Sequence, residues 1–142
     1  MTTFVVDASV AVKWSAPAQE PLTEESVRLL KRYMDNEINF IVPDIFWMEV
    51  GNLLWKGAKR QRWSRSVAEA VAAEIRDQDF QTVPSQILLP EALRIAFTYD
   101  RNIYDCVYAA LAVESHAELI TADERLANAL AAHLPVKWLG AF

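Results

Sequence analysis

The sequence contains one cysteine, Cys106, so no internal disulfide can form in its 142 residues. That suits a reducing cytoplasm, which is the expected compartment. Cys106 lies in an apolar run and reads as a small buried hydrophobe rather than a reactive thiol. The two histidines, His116 and His133, are far apart and have no zinc-ligand company, which disfavours zinc. Three glycines are too few and too scattered for a glycine-rich phosphate loop, and no Ser–His or Cys–His pair competes as a catalytic centre. No apolar stretch approaches the ~18–20 residues of a membrane span. Ser15-Ala16-Pro17-Ala18 has the look of a cleavage site. No basic region precedes it, however, and Asp7 interrupts the apolar part, so a secretory signal is not expected. There is no excess of positive charge either. The net charge is −5, the wrong overall sign for a nucleic-acid binder, so any such contact depends on local distribution.

What is present is a soluble composition, 53% hydrophobic and 23% charged, at a length that suits one domain over residues 1–142. The organising stretch is Phe4–Ser9, FVVDAS. Phe4, Val5 and Val6 do not alternate with polar residues, which suits a strand covered on both faces in a parallel sheet. Asp7 then stands at the carboxyl end of that strand. Open α/β sheets collect ligands outside the carboxyl ends of their strands, where the strand order reverses.

The pattern beyond predicts strands alternating with helices. Residues 9–15 allow one or two helical turns, and 19–21 a loop. Thr23 is placed to cap a helix running to about Asn36, with Glu24 and Glu25 in its first turn. Asn39–Val42 reads as a strand closed by Pro43, and Asp44 as the cap of a helix from Ile45 to about Ala58, weakened at Gly57. Ser64, or Ser66 with its capping-box partner Glu69, starts a helix ending near Asp77–Asp79. Phe80–Val83 is a third strand. Ser85 to about Tyr99 reads as a helix that Pro90 bends or splits. Asn102 caps a helix from Ile103 to about Ser115, apolar all round at Cys106–Val113 and therefore buried. Glu118–Thr121 is a fourth strand, and Thr121 to Glu124 has capping-box spacing for a helix to about Ala132. Val136–Leu139 is a fifth strand. The expected fold is an α/β three-layer sandwich with a mainly parallel sheet and helices on both faces.

Four carboxylates stand out by position: Asp7, Glu49, Asp105 and Asp123. Taken singly, Asp7, Asp105 and Asp123 can be helix caps, or complements to helix N-termini worth about 0.3–1 kcal/mol each. Glu49 sits in a helix nearly devoid of charge, sharing a face with Asn52, Leu53 and Lys56. If the first and fourth strands are neighbours, Asp7 and Asp123 face one crevice. Carboxylates crowded there disfavour their own ionised forms, and a hard divalent cation, Mg²⁺ or Mn²⁺, removes the conflict. An ion with few protein ligands keeps waters. One of these can be made nucleophilic towards a phosphodiester.

The segments VVDASV, PDIFWMEVGNLL, IYDCVYAALA and LITADERL, in this order, resemble a PIN domain, most closely the VapC-type ribonuclease toxins of toxin–antitoxin pairs. The resemblance spans essentially the whole chain. It implies a sheet of strand order 3-2-1-4-5, a Mg²⁺- or Mn²⁺-dependent endoribonuclease, a homodimer, and a small cognate antitoxin that inserts a segment near the active site. It also implies an acidic site in which Asp7, Glu49, Asp105 and Asp123 hold one or two metals, with Asp7 and Asp105 as the first ligands. Ser9, Asn52 and Thr121 match supporting polar positions. Asn102 departs from the Ser or Thr usual before the third acid, but it can still cap the helix and donate a hydrogen bond.

Lys56, Lys59, Arg60, Arg62 and Arg65 form a run without an intervening acid. It reads either as a solvated helix end or as a surface that contacts RNA or the antitoxin, with Trp63 as a base-stacking candidate. Most of the five tryptophans suit packing better than stacking. Two other functions compete with the nuclease. One is a catalytically inactive PIN-like module that binds RNA or protein. The other is a phosphoryl-accepting domain. That is disfavoured because the third strand ends in Val83-Pro84 rather than an acceptor Asp, and Lys137 falls within the fifth strand rather than beyond it.

Overall fold

Val5 and Val6 are wholly buried although adjacent strand residues point to opposite faces. The first strand, β1 (Thr2–Val6), is therefore covered on both sides, as its unbroken apolar run predicts. The computed structural model describes residues 1–15 and 20–142. Residues 16–19, including most of the cleavage-site-like segment and the start of the expected loop, lie outside the described residues.

After β1 come α1 (Ala8–Ala11), α2 (Thr23–Met34), β2 (Ile38–Pro43), α3 (Ile45–Lys59), α4 (Arg65–Arg76) and β3 (Gln81–Val83). The second half holds α5 (Ser85–Tyr99), α6 (Ile103–Glu114), β4 (Glu118–Thr121), α7 (Glu124–Leu130) and β5 (Val136–Trp138), then a 3₁₀ turn over Leu139–Ala141. The five strands form one sheet in the order β3-β2-β1-β4-β5, all parallel. Phe4 registers with Phe40 on one side of β1 and with Glu118 on the other. Successive strands run outward from β1 to β3, then the chain returns to place β4 on the other side of β1. The order reverses between β1 and β4, and that is where such sheets open a crevice.

Aromatic packing fills one side of the core. Trp14 stacks on Phe40 at 5.7 Å between centroids, Tyr33 on Phe40 at 4.9 Å, and Trp47 on Phe80 at 6.1 Å. Helix α6 crosses the middle of the molecule with Cys106 through Ala112 all buried. Burial pushes the Cys106 thiol up to about 11, so it behaves as a hydrophobe.

Several local expectations are corrected. Asp44 does not cap α3. Its backbone is already helical, and its carboxylate reaches across to accept from the Ser85 backbone N–H at 3.1 Å, which caps α5 instead. Thr23 is the first residue of α2 rather than its cap. Leu22, in the left-handed region at φ 66°, precedes the helix, and the Thr23 hydroxyl donates to the Glu20 carbonyl. Ser64, not Ser66, caps α4 by accepting from Val67 N–H. Asp123, not Thr121, caps α7 by accepting from Leu126 N–H. Pro90 lies inside an unbroken α5. The carbonyl that loses its partner there is that of the exposed Gln86, which water can satisfy.

Candidate active site

Asp7 follows β1 directly, and its carboxylate Oδ1 accepts from the Ser9 backbone N–H at 3.0 Å. The Ser9 hydroxyl donates to the same oxygen, and Ser9 Oγ in turn accepts from the Ala122 N–H at 3.1 Å. Ser9 therefore ties the carboxyl end of β1 to the residue just past β4. Thr121, fully buried at the end of β4, accepts the Asp123 N–H through its hydroxyl at 3.0 Å, and that hydroxyl also favours the charged form of Asp7. Two short polar side chains thus fix Asp7 and Asp123 at neighbouring strand ends.

The other two acids come from helices. Asn102 caps α6 by accepting the Asp105 N–H at 3.0 Å, and its amide donates to Asp105 Oδ2 at 3.3 Å. Asn102, the departure from the usual Ser or Thr, therefore holds Asp105 twice. Glu49 projects from the middle of α3, and its Oε1 accepts a 2.6 Å hydrogen bond from the Tyr108 hydroxyl. Tyr108 was missed by the sequence reading, which took its segment as core. The available sign was its spacing, three residues after Asp105 on the same helical face.

All four carboxylates line one cleft of about 220 Å³, together with Ser9, Asn52, Lys56 and Tyr108. A wider hollow of about 1050 Å³ lies at the amino end of the strands, walled by Thr2, Thr3, Phe4 and Leu134. It contains a single carboxylate, Glu118, at the end of the sheet away from the switch point.

The electrostatics follow from crowding and burial. Burial pushes the Asp7 carboxyl up to about 6, against the lowering effect of the Ser9 and Thr121 hydroxyls. Glu49 is raised by burial, opposed by the Tyr108 hydrogen bond and assisted by the charge of Asp105. Asp105 is raised by burial first, with Arg101 lowering it and Asp123 raising it further. Burial and Glu49 hold the Tyr108 phenol far above its usual range, so it remains a donor. The charges of Asp105 and of its neighbours Glu49 and Asp123 are thus felt across the cleft.

This donor set is all carboxylate oxygen, with no sulfur or imidazole on the cleft walls, and fits a hard divalent cation. Among the described residues no three acidic, histidine or cysteine side chains form a closed ligand cluster. The donors surround the cleft rather than caging a point within it.

The basic run is split. Lys56 lines the acidic cleft, and it also lines a second depression of about 240 Å³ with Arg60, Arg62 and Trp63. Lys59 instead lies over the Trp55 ring at 5.9 Å, and Arg65 pairs with Glu69 at 2.7 Å on α4. Neither is on the walls of the two depressions. Trp63 donates its indole N–H to the Leu54 carbonyl at 2.9 Å, and its ring covers Gly57. Gly57 is thus the seat of that ring rather than a weak helix end.

Comparison with known proteins agrees with this geometry. The family model described as PIN domain matches residues 4–130. A protein of Pyrobaculum aerophilum superposes with a TM-score of 0.72 at 22% identity, covering 99% of this chain and 85% of that one. A toxin–antitoxin complex from Klebsiella pneumoniae gives 0.61 at 18% identity, covering 96% of each chain. The sarcin–ricin loop cleaving toxin VapC20 of Mycobacterium tuberculosis gives 0.65 at 15% identity, covering 92% of this chain and 95% of that one. No curated protein matches the sequence. At these identities the structural likenesses establish the fold, whereas the family match spans most of the sequence. The chain belongs to the PIN domain family.

Proposed function

We propose that this chain is a metal-dependent endoribonuclease of the VapC kind, the toxin of a toxin–antitoxin pair. One observation carries the reading: Asp7, Glu49, Asp105 and Asp123, far apart in sequence, wall a single cleft at the switch point of the sheet. The toxin and the toxin–antitoxin complex among the structural neighbours support the same assignment.

In this reading Asp7 and Asp105 would hold Mg²⁺ or Mn²⁺, with Glu49 and Asp123 completing the acidic wall. The ion, when bound, supplies positive charge to the phosphodiester and an acidified water. The chain's own side chains do the positioning. Ser9 and Thr121 keep the Asp7 carboxylate aimed from the end of β1. Asn102 fixes Asp105, and Tyr108 fixes Glu49. Glu49, its affinity for protons raised by burial, would accept a proton from the attacking water in this reading. The product ends are one phosphomonoester and one free hydroxyl. Lys56, on the wall of the cleft, supplies charge for the RNA backbone. A homodimer and a cognate antitoxin belong to the same proposal.

The alternative is an inactive PIN-like module that binds RNA or protein; the open spacing of the carboxylates is the observation on its side. Incubating a mixed RNA pool with the purified chain separates the two. The nuclease reading predicts cleavage with Mg²⁺ or Mn²⁺, none with EDTA, and none by Asp7→Asn or Asp105→Asn variants that remain folded. Full cleavage by both variants would overturn it.

A further inference from the structure

Beside the acidic cleft, and sharing Ser9, Leu53, Lys56 and Asp123 with it, lies the depression that holds Arg60, Arg62 and Trp63. Its walls gather four cations, Lys13, Lys56, Arg60 and Arg62, against two carboxylates, Glu20 and Asp123. This concentration of positive charge stands out in a chain of net charge −5. Glu20 bridges two of these cations. Its Oε2 lies 3.2 Å from Lys13 Nζ, and its Oε1 contacts the Arg62 guanidinium. The Glu20 and Lys13 side chains are only 14% and 11% exposed, so their charges are poorly screened by water.

A carboxylate and a phosphodiester are alike in the respect that matters here. Each presents two oxygens sharing one negative charge, and each accepts from an Arg fork and a Lys ammonium. We infer that this depression is a second phosphate subsite for RNA, one step along the strand from the acidic cleft, and that the Glu20 carboxylate occupies it as an internal competitor until RNA displaces it. The inference rests on the nuclease reading for the identity of the strand, but the subsite itself needs no chemistry at the acids. Its consequence is regulatory. An RNA that fills only the acidic cleft leaves Glu20 in place. One that spans both subsites must displace Glu20, so its apparent affinity is reduced by the fraction of chains in which the subsite is free.

The test is binding of a fluorescent single-stranded RNA ten-mer in EDTA, where nothing is cut, followed by anisotropy across a salt series. Removing the competitor with Glu20→Gln is expected to tighten binding by roughly 3–10-fold. It should also steepen the logarithmic salt dependence by about 0.7, one further phosphate contact. In an Arg62→Gln background, which removes the more exposed partner and spares the buried lysine, Glu20→Gln should give no more than a small part of that gain. Thermal melts confirm that each variant is folded. Unchanged RNA affinity in Glu20→Gln, or a full gain that persists without Arg62, overturns the inference. So does tightening of an acidic peptide with no change for RNA, which would make the depression a peptide site. Cleavage of RNA by the wild type with Mn²⁺ is scored separately. Cleavage without a Glu20 effect leaves the nuclease reading standing and removes the subsite. A Glu20 effect without cleavage does the reverse.

Discussion

The Tyr108 hydroxyl donates to Glu49 Oε1 at 2.6 Å and so joins α6 to α3 across the acidic cleft. Each residue comes from a helix whose sequence gives no hint of the other. The bond fixes the rotamer of the one acid that projects from mid-helix, and it stabilises that acid in its charged form. Tyr108→Phe should cost about 1.5–3 kcal/mol of stability, the range for a hydrogen bond to a charged group. Cleavage should fall by roughly 10–100-fold, as when a partner that orients a site carboxylate is removed. With the lowering contact gone, Glu49 binds its proton more tightly, so the acid limb of the pH–rate profile should move to higher pH. Thermal melts and a pH series on the variant check both effects. A profile that does not move would show that Glu49 takes no part in proton transfer.

Asp7 gives a prediction for the protein without metal. Burial pushes its carboxyl from 3.8 up to about 6 in the folded chain. Between those values the folded state holds a proton that the unfolded state has lost, so stability falls as pH rises through that window. Above it the penalty of the buried charge is fully present. Asp7→Asn should therefore raise stability at pH 7.5 in EDTA by about 1–3 kcal/mol, while leaving stability at pH 3.5 nearly unchanged. The raised Glu49 and Asp105 act in the same direction. Denaturant melts at the two pH values measure this. Destabilisation by Asp7→Asn at pH 7.5 would contradict the burial argument.

Ser9 bonds to Asp7 and also accepts from Ala122, so one hydroxyl serves two strand ends. Ser9→Ala should leave the Ala122 N–H without its partner and remove the hydroxyl's lowering effect on Asp7. The expected cost is about 1–3 kcal/mol. Divalent-ion affinity should fall at neutral pH, with part of the loss recovered at higher pH as Asp7 ionises. Calorimetric titration of Mn²⁺ at two pH values reads this out.

Gly57→Ala opposes two effects of different size. Alanine is the better helix former by about 1 kcal/mol. A Cβ at Gly57, however, would fall inside the Trp63 ring, which is held by its bond to the Leu54 carbonyl. Displacing the ring should win, at a net cost of about 1–3 kcal/mol in a thermal or denaturant melt. Greater stability in Gly57→Ala would mean that the ring is not seated there. The same packing predicts that Trp63→Phe, which loses the bond to the Leu54 carbonyl, lowers stability.

Much of this molecule was legible because the relevant patterns are local. The apolar run ending at Asp7 marks a buried parallel strand and its carboxyl end together. Asn102 and Asp105 declare a helix start by spacing alone. The strand order came from the resemblance of four segments to a family, since no local pattern fixes which strands are neighbours. What stayed hidden depends on residues distant in sequence. Asp44 caps a helix 41 positions away, and Tyr108 meets Glu49 at 59. Gly57 looked like a weak point because the ring that covers it cannot be seen from a helix pattern. The basic run looked continuous along the chain, yet folding sends Lys56, Arg60 and Arg62 to the depressions and Arg65 to a partner on α4.

Calorimetric titration of Mn²⁺ into the wild type and into folded Asp7→Asn and Asp105→Asn variants tests the central claim most directly. Saturable binding by the wild type, weakened at least about tenfold in each variant, is the result expected if the two carboxylates hold one ion together. Equal affinity in all three proteins would contradict it.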